Sequence, residues 1–233
     1  EFLEHKSKDA QLLKELDKIE MLLQAIAYEK VVTPGQLDDF WASSKRYLKS
    51  SNLIALYDCL LKCKKQGITE SNDFNLKLLN QPNKLKVTAK SSWALKEISF
   101  PESVASHTFG LSLLTLLVNV PKTIDRNKLI KMAIVHETAK SLSGDPVCEV
   151  GKFMNAEKCL IKVKKEKEAL KSIFPSPKFD DLRILSEEYL DQSSACAQFL
   201  KQLDRLESVF QALNYEKSIL SDNLDSFWEN AEL

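Results

Sequence analysis

The chain has 233 residues, and its 33 Lys and Arg balance 33 Asp and Glu. This balance excludes the basic excess of a typical nucleic-acid-binding protein and the acidic excess of a solvating tail. Lys and Glu interleave at helical spacing over residues 158–171, which favours a solvated face over a nucleic-acid patch. We expect no nucleic-acid partner.

Cysteine content and apolar runs indicate the compartment. The five cysteines are odd in number and include no CxxC pair, which argues against a disulfide framework or a zinc finger. No apolar run approaches the roughly 20 residues of a membrane span. The sequence predicts a soluble intracellular protein with no membrane partner, located in the cytoplasm or, after removal of a transit peptide, in an organelle.

Residue usage predicts an all-α fold. The chain has only five glycines and no long alternation of apolar and polar residues, so helices are favoured over sheets. In chain order we expect helices at about residues 1–30, 36–50, 52–66, 72–80, 102–119, 125–142, 154–173, 179–190, 193–216 and 222–230. Gly67, Pro82, Gly144 and "FPSP" at 174–177 are the expected stops.

An internal repeat is the clearest organisational feature. "LKELDKIEMLLQAIAYEK" at 13–30 and "LKQLDRLESVFQALNYEK" at 200–217 align without a gap. The offset is 187 residues, since 204 minus 17 is 187, and the match extends from Glu1 against Glu188 to Trp41 against Trp228. Unrelated amphipathic helices would share apolar spacing but not these fixed identities, so the pattern indicates a duplicated unit.

The repeat predicts two domains of unequal completeness. About 115 residues of helical sequence precede the second copy. Residues 1–66 are therefore interpreted as the C-terminal helices of a truncated first repeat, and residues 67–233 as a complete second domain. The helices of 1–66 carry long apolar stripes that would be exposed if nothing covered them. We expect them to pack on the second domain, on another copy of the chain or on a missing first body.

A His-Glu pair stands in the apolar stretch "KMAIVHETAKSLSGDPV" at 131–147. His107 and Asp204 occupy similar positions on two other predicted helices. Burying an ionisable side chain is costly unless it has a partner, and a lone histidine there is more often a core residue. Two histidines and two carboxylates on three helices instead favour a site between helices, with a ligand set that suits Mn, Co, Fe or Zn.

These motifs resemble a known family. The order His, His-acid, Asp on successive helices is similar to the HD-domain phosphohydrolases. "PESVASH", "KMAIVHETAKSLSGD" and "EEYLDQSSACAQFLKQLDRLE" resemble the 5′-deoxynucleotidase-like branch in particular. The resemblance covers about residues 72–230 and, separately, 1–66. It implies an HD-domain helical bundle preceded by the last helices of a partial, duplicated HD repeat.

The resemblance also implies roles for single residues. In that family two histidines, the HD acid and a later aspartate hold one divalent metal, such as Mn, Co, Fe, Zn or Mg. A carboxylate one turn after the pair helps to activate water against a deoxyribonucleoside monophosphate. The implied metal ligands here are His107, His136, Glu137 and Asp204. Trp93 matches a tryptophan near the substrate, and Asp145 matches an aspartate that follows a glycine.

Four departures from the family pattern concern activity. Glu137 is one methylene longer than the family aspartate, and Lys140 replaces the catalytic carboxylate. Phe100 replaces an arginine of the substrate site. The family has a basic segment before the tryptophan, whereas residues 89–93 read "AKSSW". Lys140 is expected to serve as a counter-ion to Glu137, and also to Asp204 and Asp145, which favours a vacant metal site over an occupied one.

Two functional hypotheses remain at this point. One is a degenerate HD protein with weak or no hydrolase activity that works as a subunit or binding module, with a protein partner or a nucleotide ligand. The other is an active metal-dependent nucleotide phosphohydrolase, in which Glu137 still binds the metal and another carboxylate handles protons.

Overall fold

The computed structural model describes residues 6–67, 78–146, 156–175, 177–217 and 224, without the side chains of 156–159. Its helices are α1 (Lys8–Tyr28), α2 (Asp38–Lys45), α3 (Ser51–Lys65), α4 (Gln81–Val87), α5 (Ser91–Ala94), α6 (Val104–Leu117), α7 (Arg126–Val135), α8 (Lys140–Ser143), α9 (Ala156–Ile173), α10 (Asp180–Asp191) and α11 (Ala195–Glu216), with a 3-10 turn at Pro177–Phe179. Within the described ranges the only β pairing is one isolated bridge between Ala89 and Ser103. The all-α prediction is confirmed.

The chain divides into two compact units, Glu1–Asn83 and Lys84–Leu233. The sequence analysis placed a boundary between residues 66 and 67, at the end of α3. In the structure the first unit continues to Asn83, whose side-chain amide donates to the carbonyl oxygen of Leu23. The interpretation of the first unit as a truncated repeat stays a prediction.

In the first unit, α1 packs against α2 and α3. The core of this unit is formed by Ile19, Leu22, Ile26, Trp41, Leu48, Tyr57, Leu60 and Cys63. Glu15 holds the turn before α3, because its carboxylate accepts hydrogen bonds from the backbone N–H of Lys49 (2.9 Å) and of Ser50 (2.8 Å) and from the Ser50 hydroxyl (3.0 Å). A buried carboxylate thus links α1 to the start of α3.

In the second unit, α7 lies at the centre and contacts α6, α10 and α11, while α9 contacts α8 and α10. The core consists of Leu111, Leu129, Met132, Ala133, Tyr189, Cys196, Ala197, Leu200 and Leu203. Apolar side chains of α6, α7 and α11 pack together in this core. None of the described helices is long and apolar enough to cross a membrane.

Three helix predictions needed correction. The helix expected at 125–142 ends at Val135, a turn covers residues 136–139, and α8 starts at Lys140. Pro82 is the second residue of α4 and not a stop, because the first turn of a helix does not need the missing N–H. The short helix α5 was not predicted. Most of the helix predicted at 72–80 and nearly all of that at 222–230 lie outside the described residues.

Candidate active site

The second unit brings together polar side chains from three helices. His107 comes from the first turn of α6, Asp204 comes from the middle of α11, and His136 and Glu137 follow the end of α7. Ligand atoms of His107, His136 and Glu137 lie within 4.8 Å of one another. Asp204 joins the cluster because its Oδ1 is 3.1 Å from Nε2 of His107. All four side chains are buried.

His107 lies between two carboxylates. Its Nδ1 is 2.5 Å from Oε2 of Glu207, and its Nε2 faces Asp204. Burial and the nearby Lys90 favour the neutral imidazole, but the hydrogen bonds to Asp204 and Glu207 outweigh them and raise the pKa of His107 to about 9. His107 is therefore a cation at neutral pH in this arrangement.

Gly110 makes room for Glu207. A Cβ atom at position 110 would lie 2.9 Å from Oε1 of Glu207, which is closer than van der Waals contact. Gly110 is three residues after His107 on α6, so both face the same part of α11. The missing side chain lets the Glu207 carboxylate reach the imidazole.

The surroundings of His136 favour its neutral form, in contrast to those of His107. Its Nδ1 donates to the carbonyl oxygen of Ala133 at 2.7 Å, and its Nε2 is buried without a hydrogen bond. Because a carbonyl only accepts, Nδ1 carries the proton and Nε2 presents a lone pair to the cluster. Burial lowers the pKa of His136 to about 4, so the ring is neutral.

Glu137 is flanked by two lysines. The Lys140 ammonium pairs with Oε2 of Glu137 and lies 2.7 Å from Oδ1 of Asp145. The Lys90 ammonium is 3.7 Å from Oε1 of Glu137. Burial alone would raise the pKa of the Glu137 carboxyl, but Lys140 and Lys90 outweigh burial and hold it well below its usual range. In turn, Glu137 and Asp145 overcome the burial of Lys140 and raise its pKa.

Asp145 and Asp204 accept hydrogen bonds from different groups. Asp145 accepts hydrogen bonds at Oδ2 from the backbone N–H of Ser91 (2.8 Å) and from its hydroxyl (3.1 Å). Asp204 accepts at Oδ2 from the Tyr189 hydroxyl (2.7 Å) and from the Lys201 ammonium (2.7 Å). Lys140 thus pairs with Glu137 and Asp145, while Asp204 is balanced by other groups.

Comparison with known proteins identifies the fold. Residues 82–231 match the family model described as HD domain, which covers more than half of the chain. This chain belongs to the HD-domain family. The match includes every residue of the cluster described above.

Relatives with assigned names are similar over the same region. The 5′-deoxynucleotidase HDDC2 of Homo sapiens is 31% identical over 144 residues, which is 60% of this chain and 68% of that protein. The 5′-deoxynucleotidase hdd1 of Schizosaccharomyces pombe is 32% identical over 142 residues, 58% of this chain and 69% of that protein. These relatives place the HD domain in a phosphohydrolase family.

A solved structure shares the fold. The PH0347 protein from Pyrococcus horikoshii is 32% identical, with a TM-score of 0.55, over 66% of this chain and 86% of that protein. The HD-type helical bundle predicted from the sequence is therefore confirmed. The duplication and the roles of the site residues stay predictions.

The two residues assigned to substrate binding occupy different environments in this HD domain. Trp93 is fully buried, and its indole N–H donates to Oε1 of Glu102 at 2.8 Å while its ring packs edge-on against Tyr215. Phe100 is 91% exposed in the loop before α6. Trp93 is therefore a buried contact of the segment that leads into α6, whereas Phe100 is not part of the buried cluster.

Sequence reasoning missed several members of the cluster. Lys90 belongs to the "AKSSW" segment, which was interpreted as less basic than its counterpart in the family. In the structure, Lys90 nevertheless places a positive charge beside Glu137. Glu207 follows Asp204 by three residues on the same helix face, a spacing that could have revealed it. Tyr189 and Glu166 gave no signal, because only packing brings α9 and α10 to the site.

The residues fit a divalent metal only in part. Both histidines have Nδ1 held by an acceptor and Nε2 directed into the cluster, which is the usual arrangement of metal-binding histidines. The ammonium of Lys140, however, already neutralises Glu137, and a second cation next to it would be repelled. The neutral His136 fits a metal as it stands, His107 would first have to lose a proton, and the Glu137–Lys140 pair does not fit.

Proposed function

We infer that this chain is an HD-domain protein in which an internal lysine has taken the place of the bound metal, leaving weak or no phosphohydrolase activity. Its working role is then that of a subunit or binding module, with a nucleotide or a protein as partner. The observation that carries this proposal is the Lys140 ammonium buried between the carboxylates of Glu137 and Asp145.

The charges of the cluster support this proposal. Four formal anions, namely Glu137, Asp145, Asp204 and Glu207, are met by three lysines, Lys90, Lys140 and Lys201, and by His107. The charges of these eight groups cancel without any bound ion, and burial raises the pKa of the neighbouring Glu102 and Glu166 carboxyls, which favours their neutral forms. A divalent cation bound to His107 would displace the imidazole proton and would still add one uncompensated positive charge to a buried site, which is unfavourable.

Lys140 also lacks the chemistry of the group that it replaces. A general base must be able to accept a proton near the working pH. The flanking carboxylates raise the pKa of Lys140, so its amine stays protonated at neutral pH. Even with a metal present, Lys140 would not take a proton from water.

A second candidate function is an active metal-dependent phosphohydrolase. Two observations favour it: His136 presents a buried, unpaired Nε2 lone pair, and Glu166 on α9 is a buried carboxyl whose pKa is raised by burial. Such a carboxyl has the properties of a proton-transfer group. In this case Glu137 would leave Lys140 and bind the metal.

Metal content and phosphate release together separate these two functions. The purified chain is analysed for bound transition metals, and deoxyribonucleoside monophosphates are then offered with added Mn²⁺ or Co²⁺. A 5′-deoxynucleotidase relative serves as the positive control. We expect less than one metal per ten chains and no phosphate release above background. Stoichiometric metal together with hydrolysis at the rate of the relative would overturn the proposal.

A further inference from the structure

Helices α1 and α11 are built alike, although they belong to different units. At the N-terminus of each, a serine hydroxyl accepts the N–H three residues later at 3.1 Å: Ser7 from Ala10 and Ser194 from Ala197. Seven and ten residues after this serine, each helix has the same ion pair of a lysine and an aspartate. Lys14 contacts Asp17 at 2.9 Å, and at the equivalent positions Lys201 contacts Asp204 at 2.7 Å. The 187-residue repeat therefore extends to local structure.

The two helices nevertheless bury different faces, which overlap only in part, since the equivalent pairs Leu22 and Val209, and Ala25 and Ala212, are buried in both. In α11, Leu200 and Leu203 are 0% and 5% exposed in the core of the second unit. Their equivalents in α1, Leu13 and Leu16, are 54% and 45% exposed. The face that holds α11 against its helical body is thus present in α1 but uncovered.

The other face of the repeated helix shows the converse pattern. Ile19 and Ile26 of α1 are buried in the core that α2 and α3 complete. Their equivalents in α11, Leu206 and Leu213, are 40% and 37% exposed. Each copy therefore exposes part of the helix surface that the other copy buries: α1 packs on the helices that follow it, and α11 packs on the helices that precede it.

We propose that the exposed face of α1, formed by Leu12, Leu13, Leu16, Asp17 and Glu20, is a docking surface for a second HD-type helical body. That body is of the kind formed here by α6, α7 and α10, and it presents a histidine to α1. Asp17 and Glu20 take the positions of Asp204 and Glu207, which hold His107 from both sides. The first unit thereby supplies the acidic helix of a separate HD site.

The acidic pair within the apolar face identifies the chemistry of the partner. Covering Asp17 and Glu20 with a purely apolar surface would bury carboxylates at a high cost in free energy. An imidazolium between them removes this cost, as His107 does between Asp204 and Glu207. In the second unit this place on the helical body is filled by α11, with Leu200 fully buried.

A helix graft in the full chain tests this proposal. Residues 200–217 are replaced by the sequence of residues 13–30, which changes eight of 18 positions and keeps Lys201, Asp204 and Glu207. If α1 carries a body-docking face, the grafted second unit stays folded, with an unchanged content of helix and a His107 imidazole resonance like that of the parent. The matched control inserts residues 14–31 at the same place, which rotates the face by about 100°. The control graft should unfold the second unit.

The outcomes are distinct from those of the metal experiment. Loss of the second unit in the in-register graft overturns the docking proposal, and so does equal tolerance of both grafts. A second variant, Leu13→Gln with Leu16→Gln, removes the apolar side chains with little change in helix propensity and tests the face in place. We expect no loss of thermal stability, because this face is exposed within the described part of the chain; a lower Tm would show that the face has a partner within the chain and would also overturn the proposal.

Discussion

The Lys140 ammonium lies 2.7 Å from Oδ1 of Asp145 and also pairs with Glu137, at a position three residues before Lys140. The turn after α7 keeps the two residues on one side, since the backbone N–H of Lys140 donates to the carbonyl oxygen of Glu137 at 3.0 Å. Both carboxylates and the amine are buried. The ion pair therefore connects the end of α7 to the segment after α8 and occupies the centre of the candidate site.

Removing the lysine should destabilise the second unit. Lys140→Met leaves two buried carboxylates short of a cation, for which we expect a loss of about 3 kcal/mol in unfolding free energy. Urea unfolding followed by circular dichroism measures it. Lys167→Met is the matched control, because the Lys167–Asp191 pair is at the surface, and its effect should stay below about 0.5 kcal/mol. Equal effects of the two variants would contradict a structural role of Lys140.

Restoring carboxylates should restore metal affinity. Lys140→Glu combined with Glu137→Asp removes the internal cation and shortens the HD acid, so Mn²⁺ or Co²⁺ affinity should rise at least tenfold in calorimetric titration. Lys131→Glu makes the same charge change at an exposed position of α7 and should leave the affinity unchanged. Phosphate release should recover less than binding, because correct positioning is a large part of catalysis.

Gly110→Ala should be destabilising, against the usual trend. Alanine in a helix is normally favoured over glycine by about 1 kcal/mol, but here the new Cβ would meet Oε1 of Glu207 at 2.9 Å. We expect a net loss of about 1–3 kcal/mol in unfolding free energy. The double variant Gly110→Ala with Glu207→Ala should lose less than the sum of the single variants. Strict additivity in this cycle would argue against the contact.

The Glu15 carboxylate should give the first unit a pH-dependent stability. Burial alone would raise its pKa, but the hydrogen bonds from Ser50 and Lys49 lower it below the usual value of 4.5. A lowered folded-state pKa means that the stabilisation is present above about pH 4.5 and is lost as the pH falls through the folded-state value.

Glu15→Gln should therefore weaken the first unit by about 1–2 kcal/mol at pH 7, with a smaller difference from the parent at pH 3. Hydrogen exchange of α1 and α3 amides at the two pH values measures the effect in the first unit. Asp58→Asn, at an exposed position of α3, is the control and should show no such trend. If the loss of stability caused by Glu15→Gln became larger towards pH 3, the predicted direction of the pH dependence would be wrong.

The sequence by itself determined the helical class, most helix positions and the grouping of His107, His136, Glu137 and Asp204. Apolar periodicity and glycine or proline stops are local signals, and the family motifs lie in short segments. The same locality explains the error at 125–142. The apolar periodicity does not change at the turn of residues 136–139. The sequence pattern therefore predicted a continuous helix there.

Only the tertiary structure decided which charges meet. Lys90 and Glu137 are 47 residues apart, and His107 and Glu207 are 100 apart; their pairing depends on how α5, α6 and α11 pack around α7. The pKa of each group follows from burial and from neighbours on other helices, as in the opposite shifts of His107 and His136. Electrostatic interactions fall off with distance and grow with burial, and sequence spacing specifies neither quantity between helices that meet only in the folded bundle.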